Sequence, residues 1–201
     1  MSLRVCLYNE PILRKKGAQI SDFNSDLEAL SKDMVETMYE YDGIGLAAQQ
    51  VGRDLMLCVV DVPQTLESAF QIILDGKSTP PELVMPMALV NPAIELLTSV
   101  ETTYEEGCLS FPGINGNVRR PDQVRVNFQD EQGSPHTLEC NGLLSRCIQH
   151  EVDHINGILF IDRMDRDSLK TVASQILKLK KQTQKSILQE RRNYRSGSNQ
   201  R

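Results

Sequence analysis

The chain has 201 residues, 40% hydrophobic and 24% charged, enough to bury the core of one globular domain. No run approaches the roughly 18 apolar residues of a membrane helix, residues 1–10 lack a basic segment leading into an apolar one, and five cysteines, odd in number and without a C-x-x-C pair, do not look like a disulfide framework, so neither an integral membrane nor a secreted protein is expected, and a reducing cytoplasm is. The net charge of −5 hides an asymmetry: residues 163–201 carry eleven Lys and Arg against three acids, a net +8 on an otherwise acidic body.

Between Asn24 and Tyr41 the apolar Leu27, Leu30, Met34, Val35 and Met38 recur at helical spacing, with Asn24 or Ser25 as N-cap and Asp26 and Glu28 in the first turn. This pattern predicts an amphipathic helix. Residues 55–62 form a β-branched run between Gly52 and Pro63, which reads as a buried strand. The proline-rich stretch 63–86 reads as a long connection, with room for a helical turn or strand at 66–74. Strands are expected at 88–92, 94–105 and 124–128, with a turn at 130–133 and no room for crossover helices, so the pairing should be antiparallel.

Past Asn141-Gly142, Leu144, Ile148, Val152 and Ile155 are spaced for a buried helix ending at Asn156-Gly157. A last helix should begin near Asp167 or Ser168 and turn Leu169, Val172, Ile176 and Leu179 to one side, leaving a disordered tail after Tyr194. The whole reads as a single domain over 1–201, with a basic C-terminal helix and tail at about 166–201. That basic end fits either a solvated helix face or a contact for an RNA-rich surface. Aromatics at 5% and the absence of Trp give no sign of autonomous nucleic-acid binding, DNA included.

The buried helix carries Gln149-His-Glu-Val-Asp-His154, an H-E-x-x-H motif that puts His150 and His154 one turn apart on one face, able to share a metal. Glu151, beside the first of them, is placed to act as a general base without being a ligand. The alternative is a buried helix whose histidines only form hydrogen bonds. Extension to Gly157 imitates the metzincin pattern, but the position of its third histidine is Phe160. A third ligand should therefore come from upstream: His136, an acid, or a cysteine other than Cys147. The turn-like Glu106-Gly-Cys-Leu-Ser110 is the most suggestive source, although a free Cys108 is also an ordinary small core residue. A thiolate with two imidazoles suits Zn, Fe(II), Co or Ni and leaves a position open for water.

Gly43-Ile-Gly-Leu-Ala-Ala48 matches G-x-G-x-x-A, but a helix precedes it and Gly52 interrupts the chain before the next strand, the wrong context for a dinucleotide loop. Its glycines instead allow close backbone approach, and an extended edge there could pair with a peptide.

Together, Gly43-Ile-Gly-Leu-Ala-Ala-Gln-Gln-Val-Gly52, Glu106-Gly-Cys-Leu-Ser110 and Gln149-His-Glu-Val-Asp-His154 resemble the three signature motifs of peptide deformylases in order and spacing, and Pro11-Ile-Leu-Arg14 resembles the family's N-terminal element. The resemblance covers about residues 5–165. It implies an α+β fold: mixed, mostly antiparallel β-sheets around a central helix carrying HExxH, plus an N-terminal amphipathic helix and a C-terminal helix. It implies removal of the N-formyl group from the initiator methionine of nascent polypeptides, with release of formate. Cys108, His150 and His154 would then bind the metal, Fe(II) by family habit with Ni(II), Co(II) or Zn(II) as substitutes. Glu151 would be the general acid/base, and Gln50 with the Leu109 backbone N–H would hold the oxyanion. Gly43, Ile44 and Gly45 would pair with the substrate backbone, and Cys147 and Ile148 would line a methionine pocket unless they are plain core.

The expected partners are N-formylmethionyl peptides and, through the basic C-terminal helix, the ribosome; neither membrane nor direct DNA binding is expected. The long 63–86 connection and the small-residue loop 111–117 depart from compact family members and bear on peptide preference. Arg119 or Arg120 is a candidate substrate contact. Two competing functions remain, an HExxH endopeptidase in which Cys108 is dispensable and a ribosome-docking protein whose metal is purely structural.

Overall fold

Alternation along two short strands explains the layering of the computed structural model, which describes residues 2–65 and 69–198. In β2 (Leu57–Val60), paired antiparallel with β5 (Met87–Leu96), Cys58 lies opposite Leu89 and Val59 opposite Ala88. Cys58, Val60 and Leu89 enter one apolar cluster, and Leu57, Val59, Ala88 and Val90 enter another on the opposite face. A strand buried on both faces needs apolar residues at every position, hence the continuous run in the sequence.

Helix α1 (Ser25–Glu40) covers the second face with Leu27, Met34 and Met38. It starts where expected because the Asn24 side chain accepts hydrogen bonds from the Asp26 and Leu27 N–H groups at 3.0 and 3.1 Å. Helix α2 (Gly142–Ile155) covers the first face and is buried from Leu144 to its end.

The remaining strands are β1 (Gly45–Ala47), β3 (Ile72–Leu74), β4 (Lys77–Ser78), β6 (Glu101–Glu106), β7 (Gly116–Pro121), β8 (Gln123–Gln129) and β9 (Pro135–Asn141). Seven of the nine form a sheet in the order β1-β2-β5-β8-β9-β3-β4, and β6 pairs with β7 in a separate ribbon. Every ladder is antiparallel; the one parallel pairing among the described residues is an isolated bridge between Ala18 and Leu55.

Several boundaries differ from expectation. Strand β5 runs through Pro92, because a bulge between Val90 and Ala93 removes the need for the N–H that proline lacks. Asn91 sits at φ 53° in that bulge and clasps Ile20 through both backbone groups at 2.7 and 2.8 Å. Strand β7 occupies part of the expected 111–117 loop. Its inward positions are Gly116, Val118 and Arg120, and the arginine in the buried register conceals the alternation.

Within the long connection, residues 72–74 and 77–78 form a hairpin on β9, while residues 66–68 of the expected turn lie outside the described residues. Helices α3 (Phe160–Arg163) and α4 (Arg166–Ser198) finish the chain. Val172 and Leu179 of α4 are buried over Phe111, Val118 and Phe160, but Leu169 is 36% exposed, at the border of the expected face. The helix continues past Tyr194 to Ser198, where a disordered tail was expected, as an extension of the long helix-forming run that precedes it. Residues 199–201 of the expected tail lie outside the described residues. No helix among the described residues is long and apolar enough to cross a membrane.

Candidate active site

Because α2 lies between the sheet and the β6–β7 ribbon, its H-E-x-x-H segment is interior. The His150 and His154 rings are 5.0 Å apart, one turn along the helix. Cys108 arrives from the ribbon: β6 ends at Glu106, and a turn closed by Phe111 N–H on the Cys108 carbonyl at 2.8 Å presents the thiol to the helix. Cys108 Sγ is 3.3 Å from His154 Nε2, and one donor atom from each of the three residues lies within 4.8 Å of the others. One sulfur and two nitrogens converging at that spacing suit a borderline divalent ion.

The His150 Nδ1 edge faces Glu106 Oε2 at 3.1 Å, which leaves Nε2 for a metal. Glu106 is in turn gripped by Arg120 at 2.7 and 3.0 Å and by Arg146 at 2.7 Å. Burial alone would raise the Glu106 carboxyl; the bonds from His150 and Arg120 outweigh it and hold the group ionised, far below the usual carboxylate range. Burial likewise acts to discharge His150, but bonds to Cys108 and Glu106 lift its pKa to about 10. His154, buried beside that charge, is pushed well below the ordinary range.

Glu151 is 4% exposed, and burial pushes its carboxyl up to about 7. Its Oε2 has no hydrogen-bond partner among the described groups although the residue lines a cleft of about 520 Å³. Gln50 stands opposite, on a 3-10 turn (Ala48–Val51) that follows β1. Its Oε1 accepts the Ala47 N–H at 2.8 Å, so Nε2 is aimed at Cys108 Sγ and Ser110 Oγ, 3.5 and 3.4 Å away. Leu109 lines the same cleft.

The edge strand of the large sheet forms one wall. β1 is paired only with β2, and Gly43, Ile44 and Gly45 border the cleft on its free side. A side chain at Gly45 would crowd the site: a Cβ would lie 2.5 Å from Glu151 Oε1 and 2.8 Å from Cys147 Sγ. The Cys147 thiol donates to the Ile44 carbonyl at 3.3 Å and lines the cleft with Leu143 and Arg146.

Two expectations need correction. Ile148 is fully buried in the cluster between α2 and the sheet and does not line the cleft; the wall-forming neighbour of Cys147 is Arg146, one position away. Arg120 is not a substrate contact: it is 4% exposed and committed to Glu106 and Asp153, while Arg119 is exposed and pairs with Glu101 at 3.7 Å. The linkage of Glu106, Arg120, Arg146 and Asp153 into one buried network escaped the sequence reading. The only signal for them was charge at positions whose period placed them inside.

An interior carboxyl beside two imidazoles and a thiol, facing a cleft walled by an open strand edge, defines a metal-dependent hydrolase of peptide-like substrates. Residues 2–170 match the family model described as polypeptide deformylase. A peptide deformylase of Opitutus terrae is 52% identical over 186 residues, covering 91% of this chain and 95% of that one. One of Methylacidiphilum infernorum is 44% identical, covering 90% and 94%. The crystal structure of a plant peptide deformylase superimposes with a TM-score of 0.79 at 34% identity, covering 92% of each chain. The chain belongs to the peptide deformylase family, metal-dependent hydrolases that remove the N-formyl group from N-formylmethionyl peptides.

Proposed function

We propose that Cys108, His150 and His154 hold one divalent cation, Fe(II) in the first place with Ni(II), Co(II) or Zn(II) able to substitute, and that Glu151 moves the proton in deformylation. The observation that carries this is the convergence of those three donors beside a buried carboxyl with an unpartnered oxygen. Held by Cys108, His150 and His154, a divalent cation would supply Lewis acidity, the property that lowers the pKa of water towards about 7 and polarises a carbonyl. Glu151 accepts the proton of the attacking water and returns it to the departing methionine amine, so that water and the formamide become formate and a free N-terminus. A buried carboxyl lining the cleft beside the ligand cluster is placed for both directions of that transfer. Gln50 Nε2 and the Leu109 N–H receive the formyl oxygen as it gains charge; one such donor contributes about 3 kcal/mol. Gly43, Ile44 and Gly45 align the peptide as an added strand, and Cys147 with Leu143 and Arg146 surrounds the methionine side chain. A thiolate and a ferrous ion in one site make the protein sensitive to air.

The whole chain acts as one domain in the cytoplasm, where nascent peptides are its substrate. Docking on the ribosome is the part assigned to α4, whose Lys178, Lys180, Lys181 and Lys185 are exposed. Replacing these four by Gln should weaken ribosome co-sedimentation and flatten its salt dependence; unchanged binding refutes the docking. The deformylase reading is tested with formyl-Met-Ala-Ser and acetyl-Met-Ala-Ser. Formate without acetate and without internal cleavage supports it. Cutting of an internal peptide bond that survives Cys108→Ala would favour the endopeptidase instead.

A further inference from the structure

Beneath the cleft, four buried charged groups from three elements form one continuous chain. His150 Nδ1 meets Glu106 Oε2 at 3.1 Å, and Arg120 Nε and its two terminal nitrogens reach Glu106 Oε1, Glu106 Oε2 and Asp153 Oδ2 at 2.7, 3.0 and 2.7 Å. Asp153 is also bonded to Arg163 at 2.8 and 3.2 Å. Arg120 belongs to β7, Glu106 to the end of β6, and both His150 and Asp153 to α2. The Arg120 side chain is 4% exposed and does not border the cleft that Glu151 lines.

We infer that Arg120 is a positioning residue for the metal centre, joining the ribbon that delivers Cys108 to the helix that delivers both histidines and fixing Glu106 so that His150 keeps its Nε2 directed at the ion. This rests on the reading that Cys108, His150 and His154 are the ligands. The geometry requires an arginine. Three donors of one planar fork serve two carboxylates that lie on different elements, a span that the point charge of lysine cannot cover. Removing the fork leaves Glu106 and Asp153 buried with part of their charge unpaired, so each is free to turn away and the Glu106 constraint on the imidazole is lost. Arg146 does not replace it. Arg146 bonds Glu106 Oε1, Thr102 and the Val118 carbonyl and lies over the Tyr104 ring, and among the described residues it makes no hydrogen bond to Asp153. Arg146 also borders the cleft, so its loss reaches substrate directly, whereas loss of Arg120 acts through the ligands. The two arginines on Glu106 thus have separable consequences.

The experiment uses full-length protein loaded anaerobically with Co(II), whose thiolate charge-transfer and d–d bands report the ligand set. Affinity is read by chelator competition in wild type, Arg120→Met, Arg120→Lys and Asp153→Asn, with Arg125→Met as an exposed ion-pair control. The expected result is Co(II) affinity about 10- to 100-fold weaker in Arg120→Met, weakening in the same direction in Arg120→Lys and Asp153→Asn, altered d–d bands, and no change in the control. For enzyme kept saturated with metal, kcat should fall while KM for formyl-Met-Ala-Ser stays at the wild-type value. Wild-type affinity and spectra in a folded Arg120→Met protein would overturn the inference, as would wild-type values in Asp153→Asn and Arg120→Lys if the methionine variant does not fold. Failure of the underlying ligand reading looks different: wild type itself would then lack the thiolate charge-transfer band.

Discussion

Replacing Gly45 by alanine should damage catalysis far more than stability. The added methyl carbon would start 2.5 Å from Glu151 Oε1, 2.9 Å from Glu151 Cδ and 2.8 Å from Cys147 Sγ. Ordinary contact begins near 3.4 Å, so the carboxyl must retreat by about 0.9 Å. Because the first atom met is the end of a side chain, relief by rotation is available, and the folding cost should fall at the low end of the roughly 1–3 kcal/mol typical of overpacking. A domain of this size loses about 2–4 °C in Tm for each kcal/mol. Catalysis has no such relief, since the atom displaced is the one assigned to proton transfer. A misplacement of about 1 Å commonly costs on the order of 100-fold in rate. The assay is formate release under metal saturation, paired with thermal unfolding and metal content. A Gly45→Ala protein with one metal per chain, nearly normal Tm and kcat within twofold of wild type would refute the placement of Glu151.

Three further outcomes are expected from the same geometry. Gln50→Ala should lower kcat by about 100- to 1,000-fold without loss of metal, because the amide is anchored by the Ala47 N–H at 2.8 Å and its approach to Cys108 Sγ is long, at 3.5 Å; loss of metal with the amide would contradict this. In protein stripped of metal, burial holds the folded Glu151 carboxyl at about 7, above its unfolded value near 4.3, so the folded state binds the extra proton and stability falls as pH rises through that window. Glu151→Gln should remove that fall, gaining at most roughly 4 kcal/mol over wild type above pH 7 and little below pH 4, as measured by urea unfolding across pH. His136, raised by its bond to Asp75 and secondarily by Asp130, ties the β3–β4 hairpin to β9 more strongly when charged. That contribution is complete below the ordinary histidine pKa and disappears as pH rises through the raised one, so amide protection at Ile72–Leu74, corrected for intrinsic exchange, should decline over that interval and do so less in Asp75→Asn.

The parts of this architecture that were legible in the sequence are those where one periodicity acts alone. Helix α1 announced itself by its apolar spacing and the Asn24 cap, β2 by an unbroken apolar run, and α2 by spacing that also placed two histidines on one face. The features that stayed hidden involve a local rule overridden by a distant partner. Pro92 breaks a strand on paper, yet Asn91 builds a bulge around it by bonding Ile20, 71 residues away. Arg120 spoils the apolar alternation of β7, and its acceptability depends on Glu106 and Asp153, which only the folded chain brings to it. Likewise Ile148 and Arg146 are both near Cys147 in sequence, and helix rotation alone decides that the isoleucine faces the sheet while the arginine borders the cleft. The three donors that converge, Cys108, His150 and His154, were legible because their chemistry is rare and their motifs are contiguous. The groups that hold those donors in place are common residues at ordinary spacing.

The central claim proposed for the site is that Cys108, His150 and His154 retain the ion while Glu151 transfers the proton. Metal content and formate release from formyl-Met-Ala-Ser, measured together on anaerobic preparations of wild type, Cys108→Ala and Glu151→Ala, test it most directly. The predicted result is one tightly held metal and turnover in wild type, loss of both in Cys108→Ala, and a retained metal without turnover in Glu151→Ala. Substantial formate release by metal-loaded Glu151→Ala, or a full complement of tightly bound metal in Cys108→Ala, would contradict it.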